Sequence, residues 1–322
     1  MGELVTVAVA TYNSALYVLE TLESIYNQTY SNLAVVISDD CSGDDTVSVI
    51  KEWAAQEKNQ QRFRSIEVIT VPKNKGVSAN CNRCIAAVPS DWFKFIAGDD
   101  ILLPNCIADN MVFVNENPNA KIIFSQIELY QDDFKEDNYI KTTPHDYPFN
   151  LMDASLTAQD QYRLLLMSDR IHYTPSFFSN KKALLSVGGY DETNRLVEDY
   201  PMWLKLTRSG ERLYYFHKIT VGYRIHAKAT NNVGGQVLFK PSALNSYAIR
   251  KAFAYPYLPW EMVKSEQQVY WVSLFFQNVG WNKKSKWYSV FYRLLTVYCN
   301  PFQYMYALKK RIPKNKNNIF YQ

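Results

Sequence analysis

The 322-residue chain holds no run of the ~18 uninterrupted apolar residues that a helix needs to cross a bilayer. Its richest stretches, 269–281 and 287–299, are shorter and are broken by Gln277, Asn278 or Arg293, so no spanning helix is expected. Cysteine is sparse, at five residues, and falls into no framework of closely spaced pairs. Cys81 and Cys84 form a lone CxxC, and no second CxxC or His pair completes a zinc site. Two buried thiols on a helix are expected there. Met1 is followed almost at once by an apolar strand pattern, without a basic n-region or a small-residue cleavage site. The expectation is a reducing cytoplasm with free thiols. Acidic residues are missing from Gln267 to Gln322, where nine Lys or Arg occur. The remaining chain then carries 26 basic against 31 acidic residues. Basic character belongs to the tail alone, which fits a local anionic partner rather than a nucleic-acid-binding fold.

What is present is a long α/β pattern. With 47% hydrophobic residues the chain can bury one large α/β domain and an appendage. Leu4 to Ala10 is a near-continuous apolar, β-branched run, the mark of a strand buried on both faces. Ser14 to about Gln28 carries Leu16, Leu19, Leu22 and Ile25 at helical spacing, with Ser14 placed to cap. Leu33–Ser38, Ile66–Val71, Trp92–Ile96 and Lys121–Ser125 read as further strands, and a helix with Val47, Ile50 and Trp53 lies between the first two of them. Repeated βα units of this length predict a mostly parallel sheet with its ligand at the carboxyl ends of the strands. Residues 129–160 are polar and aperiodic, and predict a long loop or lid. A strand near Thr174–Ser179, a helix near Asp199–Arg208 and two short strands at Arg212–Phe216 and Thr220–Arg224 follow. From about Gln236 the pattern is helical and aromatic, so the domains are drawn at 1–235 and 236–322.

Three acidic pairs lie where an open α/β sheet places ligand groups. Asp39-Asp40 follows a strand, although one carboxylate there can simply cap the next helix, as Ser42 or Asp44 also could. Asp99-Asp100 follows another strand, and two adjacent acids repel each other unless a cation lies between them. Hard oxygen ligands for Mg²⁺ or Mn²⁺ are the preferred reading, against a solvated turn before Pro104. Glu198-Asp199 opens a helix whose Trp203, Leu204 and Leu206 face inward, a place where an acid also suits the helix dipole.

Taken in order, the segments resemble the family-two glycosyltransferases. The resemblance rests on Val7 to Asn13, Ile25 to Tyr30, Val36 to Ser42, Asn74-Lys75-Gly76-Val77-Ser78, the Gly98-Asp99-Asp100 turn, Val187-Gly188-Gly189-Tyr190-Asp191, Glu198-Asp199 and Tyr223-Arg224-Ile225-His226. It covers roughly residues 3–230. It implies a GT-A fold, a Rossmann-like mostly parallel sheet with helices on both faces, here with a C-terminal helical aromatic and basic extension. It implies an inverting transfer from a nucleoside-diphosphate sugar, a UDP-sugar favoured, to a glycan or polyprenyl-linked glycan acceptor in bacterial surface polysaccharide synthesis, with Mn²⁺ or Mg²⁺ as cofactor.

The same resemblance implies roles for single residues. Thr11, Tyr12 and Asp40 would hold the base and ribose, with Tyr12 stacking and Asp40 accepting a base N–H. Asp99 would lie near the ribose and metal, Asp100 would be the metal ligand, and Asp199 sits where the family keeps its general base. His226 would lie near the diphosphate as a further ligand or donor. His145, His172 and His217 match nothing. The acid often found two residues before Asp99 is Ala97 here, and the usual Ala-Arg-Asn after Gly-Val-Ser reads Asn80-Cys81-Asn82, so that arginine's contact is absent or falls to Arg83.

Three rivals stand beside this reading. A sugar-nucleotide-forming nucleotidyltransferase should carry a Gly-rich, basic phosphate loop after the first strand, and a Rossmann dehydrogenase should carry GxGxxG there. Thr11-Tyr12-Asn13-Ser14 is neither. A non-catalytic nucleotide-sugar-binding module would not need Asp100 and Asp199. Finally, the tail interleaves Trp281, Trp287, Tyr288, Phe291 and Tyr292 with Lys283, Lys284, Lys286 and Arg293. That pattern predicts a peripheral anchor on the anionic inner face of the cytoplasmic membrane, against a face that packs back on the catalytic domain.

Overall fold

The computed structural model describes residues 2–193, 199–226, 237–239, 242–315 and 318–321. The chain forms two compact units. The first holds residues 1–161 and 170–225, the second 162–169 and 226–322. The expected boundary at 235/236 lies outside the described residues.

The first unit opens with β1 (Val5–Thr11), α1 (Val18–Tyr26), β2 (Leu33–Asp39), α2 (Thr46–Ala55), α3 (Glu57–Arg62) and β3 (Ile66–Thr70). Then come α4 (Val77–Ala87), β4 (Trp92–Ala97), the short β5 (Ile101–Leu102), α5 (Cys106–Glu116) and β6 (Ile122–Gln131). The unit is completed by β7 (Tyr139–Thr143), α6 (Phe149–Met152), the start of α7 (Ala158–Met167), β8 (Phe178–Asn180), α8 (Lys181–Ser186), α9 (Asp199–Arg208) and β9 (Leu213–Ile225). One sheet runs β3-β2-β1-β4-β8-β6-β9-β5, with β7 added beside β6. Its longest pairings, β1 with β2 and β4, and β6 with β9, are parallel. The apolar runs of β1 and β2 are buried almost end to end, as a strand covered on both faces must be.

Several expectations change on contact with the structure. Helix α1 starts at Val18, because the Ser14 carbonyl accepts both the Tyr17 and Val18 amides at 2.9 Å, and no side chain caps it. The buried face is therefore Val18, Thr21, Leu22 and Ile25, while Leu16 and Leu19 are exposed. The expected loop 129–160 carries structure, since β6 runs on to Gln131 and turns back through β7. The two short strands near 212–224 are one continuous β9, whose register against β6 shifts between Phe124 and Ile127. Cys81 and Cys84 are buried thiols on α4, as expected.

The second unit is helical, with α10 (Ser242–Phe253), α11 (Trp260–Asn278), α12 (Lys286–Arg293), a π-helical turn at Leu294–Tyr298 and α13 (Pro301–Arg311). Phe276 lies at its centre, fully buried against the rings of Trp281, Phe291 and Tyr292. Glu261 is buried too, and accepts from Tyr321 Oη at 2.6 Å and Lys309 Nζ at 3.0 Å. Among the described residues no helix is long and apolar enough to cross a membrane.

Candidate active site

Three strand ends meet at one edge of the sheet. Thr11 pairs with Asp39 and Ala10 with Ala97, so β1, β2 and β4 finish together. The next amides bind back across the gap, Asp40 N to Thr11 O and Gly98 N to Ala10 O, both at 3.0 Å. A Cβ at Gly98 would lie 2.7 Å from Thr11 Cγ2, so this approach needs glycine.

The turns after β1 and β2 are tied to each other. Thr11 Oγ1 donates to Asp39 Oδ2 at 2.9 Å, and the same carboxylate accepts the Ser42 amide at 2.8 Å. Asn13 N donates to Ser42 Oγ, and Gly43 N to Asn13 Oδ1, each at 2.8 Å. Asn13 and Cys41 take positive φ, 52° and 67°, a conformation that costs a side-chain-bearing residue energy and persists only where neighbours hold it. Thr11 is thus buried and engaged in building the turn, whereas Tyr12, carried at its crest, is 52% exposed.

Asp40 is buried and holds the start of α4. Its carboxylate accepts Lys75 N at 3.0 Å and Gly76 N at 2.7 Å, and pairs with Arg83 Nη2 at 2.6 Å. Lys75 N also reaches Oδ1, at 3.2 Å, so each carboxylate oxygen meets two of the donor contacts. Gly76, at φ 93°, is the N-cap residue of α4. Arg83 also donates to Ser38 Oγ and Asn80 Oδ1, and Asn80 Nδ2 donates to Thr11 O. Of the two alternatives for the displaced arginine, the structure has Arg83 reaching Asp40, while Cys81 is buried.

The second acidic pair divides its work. Asp100 is 2% exposed and accepts the Arg224 amide on Oδ1 at 2.9 Å. Burial, then the neighbouring Asp99 charge, raises its proton affinity, against the Arg224 amide, Lys94 and the Arg224 guanidinium. Asp99 is only half-buried, so it is the member of the pair open to solvent. Asp100, the expected metal ligand, lies buried at this turn. Arg224 fixes the turn from below: Nε donates to Asp99 O at 2.7 Å, Nη1 to Asp132 O at 2.6 Å, and Nη2 pairs with Glu20. Its guanidinium is sandwiched near the rings of Tyr17 and Phe134.

Two further residues support this edge. Lys94 is fully buried in β4, and Nζ donates to the carbonyls of Phe95, Pro175 and Phe177. Asn82, on α4, clamps the Gly-Gly-Tyr-Asp loop by exchanging hydrogen bonds with Tyr190, donating to its carbonyl at 3.0 Å and accepting its amide at 2.8 Å. A Cβ at Gly189, where φ is 67°, would lie 2.7 Å from Asn82 Oδ1. That loop leads toward 194–198, which include Glu198 and lie outside the described residues. Asp199 then opens α9, half-buried, and Trp203 anchors this helix edge-on to Phe124 and Phe177 with ring centroids 5.0 and 4.9 Å away. His226 follows Ile225 directly, is buried, and belongs to the second unit.

Sequence reasoning gave no role to Arg224, Lys94 or Asn82. The lone lysine inside Trp92-Phe93-Lys94-Phe95-Ile96 was the readable signal, because a charge in an apolar strand must find partners. Among the described residues no group of three or more His, Cys, Asp or Glu converges as a metal cage.

Comparison with known proteins agrees with this geometry. The model of glycosyl transferase family 2 matches residues 6–186. An uncharacterised glycosyltransferase of Rickettsia prowazekii is 26% identical over 234 residues, which cover 71% of this chain and 66% of that protein. The putative glycosyltransferase EpsE of Bacillus subtilis is 27% identical over 215 residues, 66% of this chain and 70% of its own. Among solved structures, S. aureus TarS in complex with UDP-GlcNAc superposes with a TM-score of 0.57 at 17% identity, covering 96% of this chain and 85% of that one. The mixed, mostly parallel sheet with its helices is the GT-A fold of such enzymes. The match over more than half its length, through the strands and turns described, makes this chain a member of glycosyl transferase family 2.

Proposed function

We propose that this enzyme transfers a sugar, with inversion, from a nucleoside-diphosphate sugar to a hydroxyl of a glycan or polyprenyl-linked glycan, at the cytoplasmic face of the membrane, in bacterial surface polysaccharide synthesis. The observation that carries the reading is the meeting of β1, β2 and β4 at one edge, with Tyr12 exposed, Asp40 beside it at the start of α4, and Asp99 half-buried. A uracil presents an imide N–H that a carboxylate accepts, as Asp40 would, and the exposed Tyr12 ring would stack on the base. TarS, similar in fold, has been crystallised with UDP and with UDP-GlcNAc. A UDP-sugar is therefore the favoured donor.

A divalent ion fits here in the manner of Mg²⁺ or Mn²⁺ sites that take one or two carboxylates and leave the other positions to phosphates and water. Asp99 would hold it, with Asp100 behind as the buttress of the turn. When bound, the ion neutralises charge on the departing diphosphate. Asp199 accepts the proton of the acceptor hydroxyl as that oxygen forms its bond to the anomeric carbon. The bond from that carbon to the diphosphate oxygen breaks on the opposite face, and the nucleoside diphosphate leaves with the electron pair. One displacement inverts the centre.

Calorimetric titration with UDP, GDP and their sugars, with Mn²⁺ or with chelator, tests the reading. Tight binding of a UDP-sugar that depends on the metal is expected. Binding of no nucleotide under either condition would overturn it.

A further inference from the structure

The second unit carries an inverted helix surface. On α12 and its π-helical continuation, Trp287, Val290, Phe291, Leu294, Val297 and Tyr298 are 40–81% exposed. Their spacing of three and four residues places them on one stripe. The opposite face makes the polar contacts: Tyr292 Oη bonds Ser273 Oγ at 2.8 Å, and Gln268 Nε2 donates to the Leu295 and Cys299 carbonyls at 2.8 and 2.9 Å. Of the four residues named in the alternative that packs back, Phe291, Leu294 and Tyr298 are exposed and Leu295 is half-buried.

The stripe continues onto both neighbouring helices. Phe275 of α11, 49% exposed, and Phe291 both pack against Trp281, with ring centroids 5.8 and 6.1 Å away. Tyr304 of α13 donates to Tyr298 O at 3.0 Å, and Leu308, one turn on, is 63% exposed. A contiguous apolar surface of this kind marks an interaction site.

Charge decides the occupant. Lys283, Lys284, Lys286, Arg293, Lys310 and Arg311 are exposed beside the stripe, and residues 267–322 contain no acid. A two-fold dimer through this face would set the same basic patch against itself. An anionic bilayer surface complements it, with Trp and Tyr at the headgroup level and the aliphatic side chains below.

We infer that α11, α12 and α13 form a membrane-docking face, with the α12 stripe lying in the plane of an anionic leaflet. This deepens the peripheral location proposed above and rests on it, and it would bring the enzyme to the leaflet that holds a lipid-linked acceptor.

The experiment is flotation of the full chain with phosphatidylcholine vesicles and with phosphatidylcholine–phosphatidylglycerol vesicles, at low and high salt. The wild type is expected to float only with the anionic vesicles and to be released by salt. Replacing Lys283, Lys284 and Lys286 by Gln should lower partitioning roughly a hundredfold. Trp287→Ser with Val290→Ser and Leu294→Ser, all exposed, should abolish flotation while nucleotide-sugar binding, measured by calorimetry on the same preparation, stays unchanged. Failure of the wild type to float with anionic vesicles would overturn the inference, as would flotation that ignores both sets of substitutions. A lipid-free dimer in sedimentation that the apolar substitutions abolish would assign the face to a second copy instead. Vesicle binding without nucleotide binding would count against the catalytic reading and leave the docking face standing.

Discussion

The amide of Arg224 donates to Oδ1 of Asp100 across 124 residues of sequence, at 2.9 Å. That bond joins the last strand of the sheet to the acidic turn after β4. It fixes which of two adjacent carboxylates looks inward. Asp99→Asn should therefore leave the fold intact and remove the metal-dependent part of donor affinity, whereas Asp100→Asn should chiefly destabilise the turn, by roughly 1–3 kcal/mol. Paired thermal melts and Mn²⁺ titrations separate the two. Equal losses of metal response with equal stability in both variants would refute this division.

The Asp40–Arg83 pair yields a second test. Asp40→Ala should cost about 1–3 kcal/mol of nucleotide affinity, the scale of a lost buried hydrogen bond to the base. Arg83→Ala should also weaken binding, because it releases one of the three donors that orient the carboxylate. Unchanged calorimetric affinity in Asp40→Ala would make the residue a helix-start brace only.

For the proposed general base, Asp199→Asn keeps the helix-start geometry and removes the proton acceptor. Turnover should fall about a hundredfold or more, while donor affinity is nearly unchanged. A variant that instead loses donor binding or unfolds would identify Asp199 as a dipole-favoured helix residue.

Lys94 gives a pH signature. Burial lowers its ammonium from the ordinary 10.5 to about 8. Between those values the unfolded chain binds more protons than the folded one, so this group's contribution to stability rises with pH across that window. Below it, the buried charge carries its full desolvation cost. The stability of wild type minus that of Lys94→Met should grow between pH 8 and 10 in denaturant titrations. A flat difference would refute a depressed lysine.

Much of the first unit was legible because β1 and β2 are apolar, β-branched runs that suit buried strands, and β4 is an aromatic run of the same length class. The face of α1 was not. Its two candidate sets share helical spacing, and the choice depends on where Ser14 starts the turn. Strand β7 escaped because it is largely exposed and carries no buried alternation. The acidic turns were visible as sequence, yet Asp99 and Asp100 are equivalent until Arg224 arrives from the far end of the unit. Asn82 looked like a departure from a familiar string, and its purpose emerged only with the glycine loop folded over it.

Under the proposed function, helix α4 would serve as a common ruler for two distant parts of the reaction. Its first turn is set by Asp40, where a base would sit, and its middle, through Asn82, sets the loop that leads to α9 and Asp199. With the roles proposed for Asp40 and Asp199, donor placement and proton removal would be gauged from the same eleven residues. A lesion in this helix cannot detune one without the other, so its variants should shift donor KM and kcat together, unlike variants of either terminal carboxylate.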